Sequence, residues 1–234
     1  MALEPVSREE ALRRVPDGPT TIEARAIALS PRGRVLRSDE GLVIVHPDHR
    51  LVCALGAVRA DDVDALFDRE QFECELVADR TAYERLKDTR DFERALLHRL
   101  GQAWHSRPHT IAELSIRPLT LDDRLDALPE ELREEIIYAR EHFHVLAGVV
   151  DGRPVSFAYD EGTETLSDLS IDTLESHRNR GIGTAVAAAA VGHVVARGMT
   201  PVWGALASNA ASLRLAAKLG FDQIVGELFV WEEE

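Results

Sequence analysis

The segment Leu166-Ser167-Asp168-Leu169-Ser170-Ile171-Asp172-Thr173-Leu174-Glu175-Ser176-His177-Arg178-Asn179-Arg180-Gly181-Ile182-Gly183-Thr184 runs from an alternating, strand-like stretch through a basic turn into an alanine-rich helix. A helix start leaves its first N–H groups without intrahelical partners and carries partial positive charge, so it can receive an anion. Gly181 and Gly183 have no Cβ to keep a phosphate at a distance, while Arg178 and Arg180 add full charges and forked donors. The turn therefore reads as a pyrophosphate cradle.

Two better-known glycine motifs fail here. A dinucleotide fingerprint needs a third small residue where Val186 stands, and an acid about twenty positions on, where the chain reads Met199-Thr200-Pro201-Val202-Trp203. A Walker loop needs Gly-Lys-Ser/Thr. What remains, Arg178-x-x-Gly181-x-Gly183 between strand and helix, resembles the acyl-CoA-binding motif of the GNAT acyltransferase superfamily. Downstream, Asn209-Ala210-Ala211-Ser212-Leu213-Arg214-Leu215-Ala216-Ala217-Lys218-Leu219-Gly220-Phe221 resembles the second signature of that superfamily. With Asp172-Thr173 before the turn and Gly198 to Trp203 between the signatures, the chain is similar to the subgroup that includes zwittermicin-resistance-type acetyltransferases.

The resemblance implies a mixed α/β (α+β) GNAT acyl-CoA N-acyltransferase fold, with the donor in a cleft where two parallel strands, here Leu166 to Thr173 and Thr200 to Leu206, splay apart. The donor implied is acetyl-CoA. Its pyrophosphate would lie on Arg178, Asn179, Arg180, Gly181, Ile182, Gly183 and Thr184, and its pantetheine arm along the main chain of Ile171, Asp172 and Thr173. Asn209 and Ser212 resemble further contacts, although Asn209 also reads as a plain helix cap. The implied acceptor is a small-molecule amine, attacked directly without a covalent enzyme intermediate. A base must then take a proton from an ammonium whose reference pKa is about 10.4. Alternation puts Asp168, Ser170 and Asp172 on one side of their strand, so Asp168 is the first candidate base and Asp172 the second, with Glu141 and His142 more distant. Many superfamily members carry an acid-catalytic tyrosine where this chain has Ala216. The rival reading is a CoA-binding regulatory or interaction module with a degraded active site.

Composition bounds the rest. The 234 residues are 45% hydrophobic and 29% charged, enough for one large or two small globular domains, and the formal net charge of −14 disfavours a nucleic-acid partner. No apolar run is long enough for a membrane span, and Met1 to Arg14 lacks the apolar segment of a signal peptide, so a cytoplasmic protein is expected. Cys53 and Cys74 read as buried reduced thiols. The pairs His46/His49 and His142/His144 lack a third ligand at a recognised spacing, and no metal is expected.

Two lobes are expected, residues 1–108 and 109–234, with a boundary near Pro108. In the first, Leu42 to His46, Leu51 to Val58 and Phe72 to Ala78 read as strands, and Ala60 to Phe67 and Thr81 to Lys87 as helices. In the second, a strand at Ala112 to Arg117 enters a helix through Leu-Thr-Leu-Asp-Asp. A hairpin of His144 to Val150 with Pro154 to Tyr159 turns at Asp151-Gly152-Arg153, a helix spans Ile182 to Arg197, and Phe229 to Trp231 is the last strand. The resemblance implies that the first lobe is a degenerate partner that shapes the acceptor pocket or a homodimer contact. No repeat is visible in the sequence.

Overall fold

The structure, a computed structural model, describes residues 3–70, 74–101, 104 and 111–232, so the boundary expected near Pro108 lies outside the described residues. In chain order the first half contains β1 (Glu4–Pro5), α1 (Arg8–Arg14), α2 (Ile22–Leu29), β2 (Arg34–Ser38), β3 (Gly41–His46), β4 (Leu51–Leu55), α3 (Ala60–Glu70), β5 (Glu75–Ala78), α4 (Arg80–Leu86) and β6 (Glu93–Arg99). The second contains β7 (Ser115–Pro118), α5 (Glu130–His142), β8 (Leu146–Val150), β9 (Arg153–Gly162), β10 (Leu166–Thr173), α6 (Ile182–Ala196), β11 (Thr200–Leu206), α7 (Ala210–Leu219) and β12 (Gln223–Glu232). The expected mixed α/β class is found.

All these strands join one sheet in the order β1-β2-β3-β4-β5-β12-β6-β11-β10-β9-β8-β7. The order is an internal duplication. Each half runs an antiparallel meander into a parallel pair closed over a helix, β4 and β5 over α3, β10 and β11 over α6. The halves then exchange their last strands: β6 of the first pairs with β11 of the second, and β12 of the second pairs with β5 of the first. β6 and β12 pair with each other at the centre. The sequence shows no repeat, yet the topology does, because strand order and crossover geometry survive when side chains diverge.

Helices cover both faces. Leu169 and Ile171 of β10 pack with α6 on one face, while Asp168 and Ser170 look to the other, where α5 lies over Phe157 and Ala147. In the first half, α3 and α4 pack on Val43, Val52 and Leu76, and α2 lies opposite on Ile44, Cys53 and Val77. Cys53 and Cys74 are both buried.

Local rules explain most boundaries. Asp151 and Gly152, with φ of 50° and 74°, make the two-residue turn that aligns β8 and β9. The strand expected to reach Val58 stops at Leu55, because Gly56 turns the chain at φ 74°. Asp123 does not open a helix: it accepts from the Thr120 N–H and pairs with Arg117, and α5 begins only after Pro129. The strand expected over Ala112 to Arg117 is Ser115–Pro118, and the last strand is longer than its apolar centre suggested. The start of the strand expected from Phe72 lies outside the described residues. Sequence reading missed β1, α1, α2, β2 and β6.

Gly148 fixes how closely α6 approaches the sheet, since a Cβ there would stand 2.6 Å from Cγ2 of the fully buried Val186. We expect Gly148→Ala to lower unfolding free energy by about 1–3 kcal/mol, the usual cost of overpacking a core. Urea denaturation checks this, and an unchanged midpoint would show that α6 is free to move.

Candidate active site

The parallel ladder between β10 and β11 stops early. Leu166, Ser167 and Asp168 pair with Thr200, Pro201 and Val202, and beyond them the strands part. From there β11 continues with β6 through Leu206, while β10 stays with β9 through Thr173. The Thr200 N–H bonds the Thr165 carbonyl and the Arg178 Nε bonds the Thr173 carbonyl, so odd-numbered residues of this strand turn their backbone groups toward the gap. The Leu169 N–H is taken by Asp168 Oδ1 at 3.0 Å. Ile171 and Thr173 are left to offer main-chain groups to an extended ligand.

At the mouth of this gap is the start of α6. A short turn at Glu175–His177 leads to Arg178, Asn179 adopts φ 60°, and Gly181 stands at φ 80° as the residue before the helix. A side chain at Gly181 would be strained, and a Cβ at Gly183 would come within 2.8 Å of Thr173 Oγ1. No side chain caps the helix and its first turn holds no acid. Arg178, Asn179 and Arg180 are exposed. Lys218, on α7, reaches Thr184 Oγ1 at 3.3 Å and adds a cation that sequence reading missed. These residues fit a pyrophosphate.

The matching place in the first half does not. There the β4–β5 ladder is paired from Leu51/Glu75 to Ala54/Ala78 and is followed by the bond from the Asp79 N–H to the Ala54 carbonyl. The link to α3 is only residues 56–59, and the first turn of α3 carries Asp61 and Asp62, which would repel phosphate.

Beyond Asp168 the gap meets a cavity of about 620 Å³ between the sheet, α2 and α5. Asp168 and Ser170 of β10, Tyr159 and Glu161 of β9, Glu23 of α2 and Glu75 of β5 line it. Glu161 lies directly across from Asp168 in the β9–β10 register. Burial pushes the Asp168 carboxyl up to about 6, against the pull of the Leu169 and Gly204 N–H groups. Burial, then the Asp168 charge, pushes Glu161 up to about 7. Glu23 is raised well above the usual range by burial and then by Asp168, Glu75 and Glu161.

Asp172 is pushed up to about 6 by burial and by Glu135, against Arg178, but it does not line the cavity and sits about 13 Å along the strand from Asp168. The two candidate bases therefore do not serve one point. Glu141 and His142 are exposed and also stand outside the cavity, with the His142 ring stacked on Tyr138. His49 shares a hydrogen bond with the Tyr138 hydroxyl, and burial and then His46 push it down to about 4. Asn209 caps α7 by accepting from the Ser212 N–H, and Ser212 Oγ accepts from Trp203 Nε1 at 2.9 Å. Ala216 is buried beside Trp203 and Phe221, so α7 brings no hydroxyl at that position.

Glu161, Glu23 and Tyr159 complete the cavity and were not singled out from sequence. The register was the available signal: β9 and β10 are joined by residues 163–165 and run antiparallel, which sets Glu161 across from Asp168. A carboxyl with a raised folded pKa holds a proton that the unfolded chain releases, so its stabilising share is complete below about pH 4.3 and is lost as pH rises through about 7. We expect Glu161→Gln to be more stable than the native chain at pH 8 and equal to it at pH 4. Thermal melts at both pH values check the sign.

Residues 155–225 match the family model described as GNAT acetyltransferase. None of the curated proteins compared with the chain matches it in sequence. Among solved structures, a Drosophila protein superposes with a TM-score of 0.68 at 15% identity, over 99% of this chain and 98% of that one. A GCN5-related N-acetyltransferase from Kribbella flavida gives 0.65 at 12% identity, over 98% and 96%. A tandem GNAT protein from the clavulanic acid biosynthesis pathway gives 0.61 at 13% identity, over 99% and 98%. The whole described chain thus has the GNAT fold, with the family match falling on the half that carries the open gap.

Proposed function

We propose that the chain is an N-acetyltransferase that moves the acetyl group of acetyl-CoA directly to a primary amine of a small molecule. The observation that carries this reading is a gap between parallel strands with an uncapped, cationic helix start at one end and an acidic cavity at the other. Bound acetyl-CoA supplies an activated acetyl thioester. Arg178, Arg180, Lys218 and the N–H groups of residues 181–184 hold its pyrophosphate, and Ile171 and Thr173 pair with its amide-bearing arm as an added strand would. The main-chain N–H groups of β10 also face the oxygen on which charge develops.

Asp168, mostly ionised at neutral pH, takes a proton from the entering ammonium, and the neutral nitrogen forms the new C–N bond as the C–S bond breaks. Asp172 is the second candidate base. Ala216 supplies no acid, and CoA departs as thiolate, tolerable for a thiol with a pKa of about 8.5. The resemblance to zwittermicin-resistance-type enzymes supports a small polar acceptor. A cytoplasmic location is part of this reading; among the described residues no helix is long and apolar enough to cross a membrane.

Ala216 favours one competing reading, a CoA-binding regulatory module without turnover. Calorimetry with acetyl-CoA and CoA, followed by free-thiol release against amines, separates the two. Amine-dependent release supports the enzyme, binding without release supports the module, and absence of binding removes both. We expect Gly181→Val to weaken CoA binding more than tenfold. We expect Asp168→Asn to keep CoA affinity while turnover falls about 10²-fold or more; unchanged turnover would move the base elsewhere.

A further inference from the structure

We propose that the acceptor is a short aliphatic polyamine, one ammonium presented to Asp168 and a second held by Glu23 and Glu75 of the first half. This inference rests on the acetyl-transfer reading and adds its substrate class.

The cavity acids lack the partners that their neighbours have. Glu164 is paired with Arg25 at 2.6 Å, and Asp160 is paired with Arg197. Inside the cavity, Glu23, Glu75, Glu161 and Asp168 form no ion pair among the described residues, although Arg25 lies only two positions from Glu23. Arg50 is a lining residue, but it is exposed and pairs with none of them. Ionised together, buried carboxylates are costly and repel one another, so these acids are pushed toward holding protons, and a cation from outside is what can take the protons' place.

A second observation concerns Glu23 itself. Its Oε2 is buried and has no hydrogen-bond partner among the described residues, and Glu23 is one of the residues that line the cavity. Ionised, as a neighbouring cation would keep it, that oxygen only accepts, so the partner it would then take is a donor.

The distribution of charge selects an extended cation. Among the described residues no three His, Cys, Asp or Glu side chains converge closely enough to hold a metal ion, so these acids are spread along the cavity instead of gathered at a point. Ile22, Ala26, Leu51 and Phe143 add apolar surface to the same lining. Ammonium groups joined by methylenes offer such a lining both cationic ends and an apolar stem. A polyhydroxylated aminoglycoside shares the charge, and kanamycin is therefore the competing acceptor.

The test titrates the full chain, without CoA, with spermidine, butylamine and kanamycin, then repeats the series for Glu23→Gln, Glu75→Gln and, as a control distant from the cavity, the exposed Glu40→Gln. We expect spermidine to bind at least tenfold more tightly than butylamine. Either cavity variant should remove about tenfold of that preference, and the control should remove none. In thiol release, Glu23→Gln should raise KM for spermidine with kcat nearly kept and leave acetyl-CoA affinity unchanged. Equal affinity for spermidine and butylamine would overturn the proposal, as would tighter binding of kanamycin or loss of preference in the control alone. Selective spermidine binding without thiol release would uphold the cation site and overturn acetyl transfer. Thiol release that does not distinguish spermidine from butylamine would do the reverse.

Discussion

The parting of β10 from β11 after Asp168 is the constraint on which the rest of the molecule depends. Neither strand is free to close it. β11 is bonded to β6 from Val202 to Leu206, and β10 is bonded to β9 along its length. Asp168 occupies the junction, where its carboxylate accepts from the Leu169 N–H that a continuing ladder would have used. Backbone groups left facing such a gap are tolerated where water or a ligand satisfies them, which makes an amide-bearing arm a natural occupant. α6 can begin at the mouth of the gap because Gly148 lets the helix lie close to the sheet and Gly183 lets its first turn lie against Thr173.

The internal duplication shows how such a gap is lost as well as kept. The same crossover occurs in both halves, but β4 and β5 are zipped to Ala54 and Ala78, and Asp61 and Asp62 replace the cationic turn. What the first half retains is its other face. α2 stands across the cavity from α5 and brings Glu23, while β5 brings Glu75. Because the halves exchange β6 and β12, these side chains are fixed relative to Asp168 by continuous strand pairing, not by docking of two separate bodies. One half thus keeps the donor end of the gap and both build the acidic wall.

Legibility in the sequence followed how local each determinant was. Strands Leu166–Thr173 and Thr200–Leu206, the start of α6 at Ile182 and the cap at Asn209 are set by glycine placement, alternation and capping chemistry within a few residues, and all were readable. β6 was not. Its partners are β11 and β12, more than a hundred residues away, and the polar Arg94, His98 and Arg99 mask the apolar Ala95 and Leu97. Glu161 was hidden because the strand was expected to end at Tyr159, whereas it runs on to Gly162 with Asp160 buried against Arg197 on the opposite face. Glu23 sits in a short helix with no chemical signature, and Lys218 is visible as a site residue only once α7 lies against α6.

The chain also has to reconcile an acidic interior with an anionic donor site. Asp168 and Thr173 are five residues apart on an extended strand, about 17 Å, and the cradle begins beyond Thr173. That distance exceeds the roughly 8 Å over which exposed charges act at physiological salt. The segment between is the sensitive one, since a strand between protein layers is screened less than a surface. There Asp172 is raised toward neutrality by burial and Glu135, and Arg178 opposes its charge while also tying the turn to the Thr173 carbonyl. On the proposed reading Arg178 therefore acts at the boundary between the two fields, tying the turn to β10 and offsetting the carboxylate behind it. On the proposed reading, a net charge of −14 then favours cations at the cavity end without excluding an anion from the cationic turn.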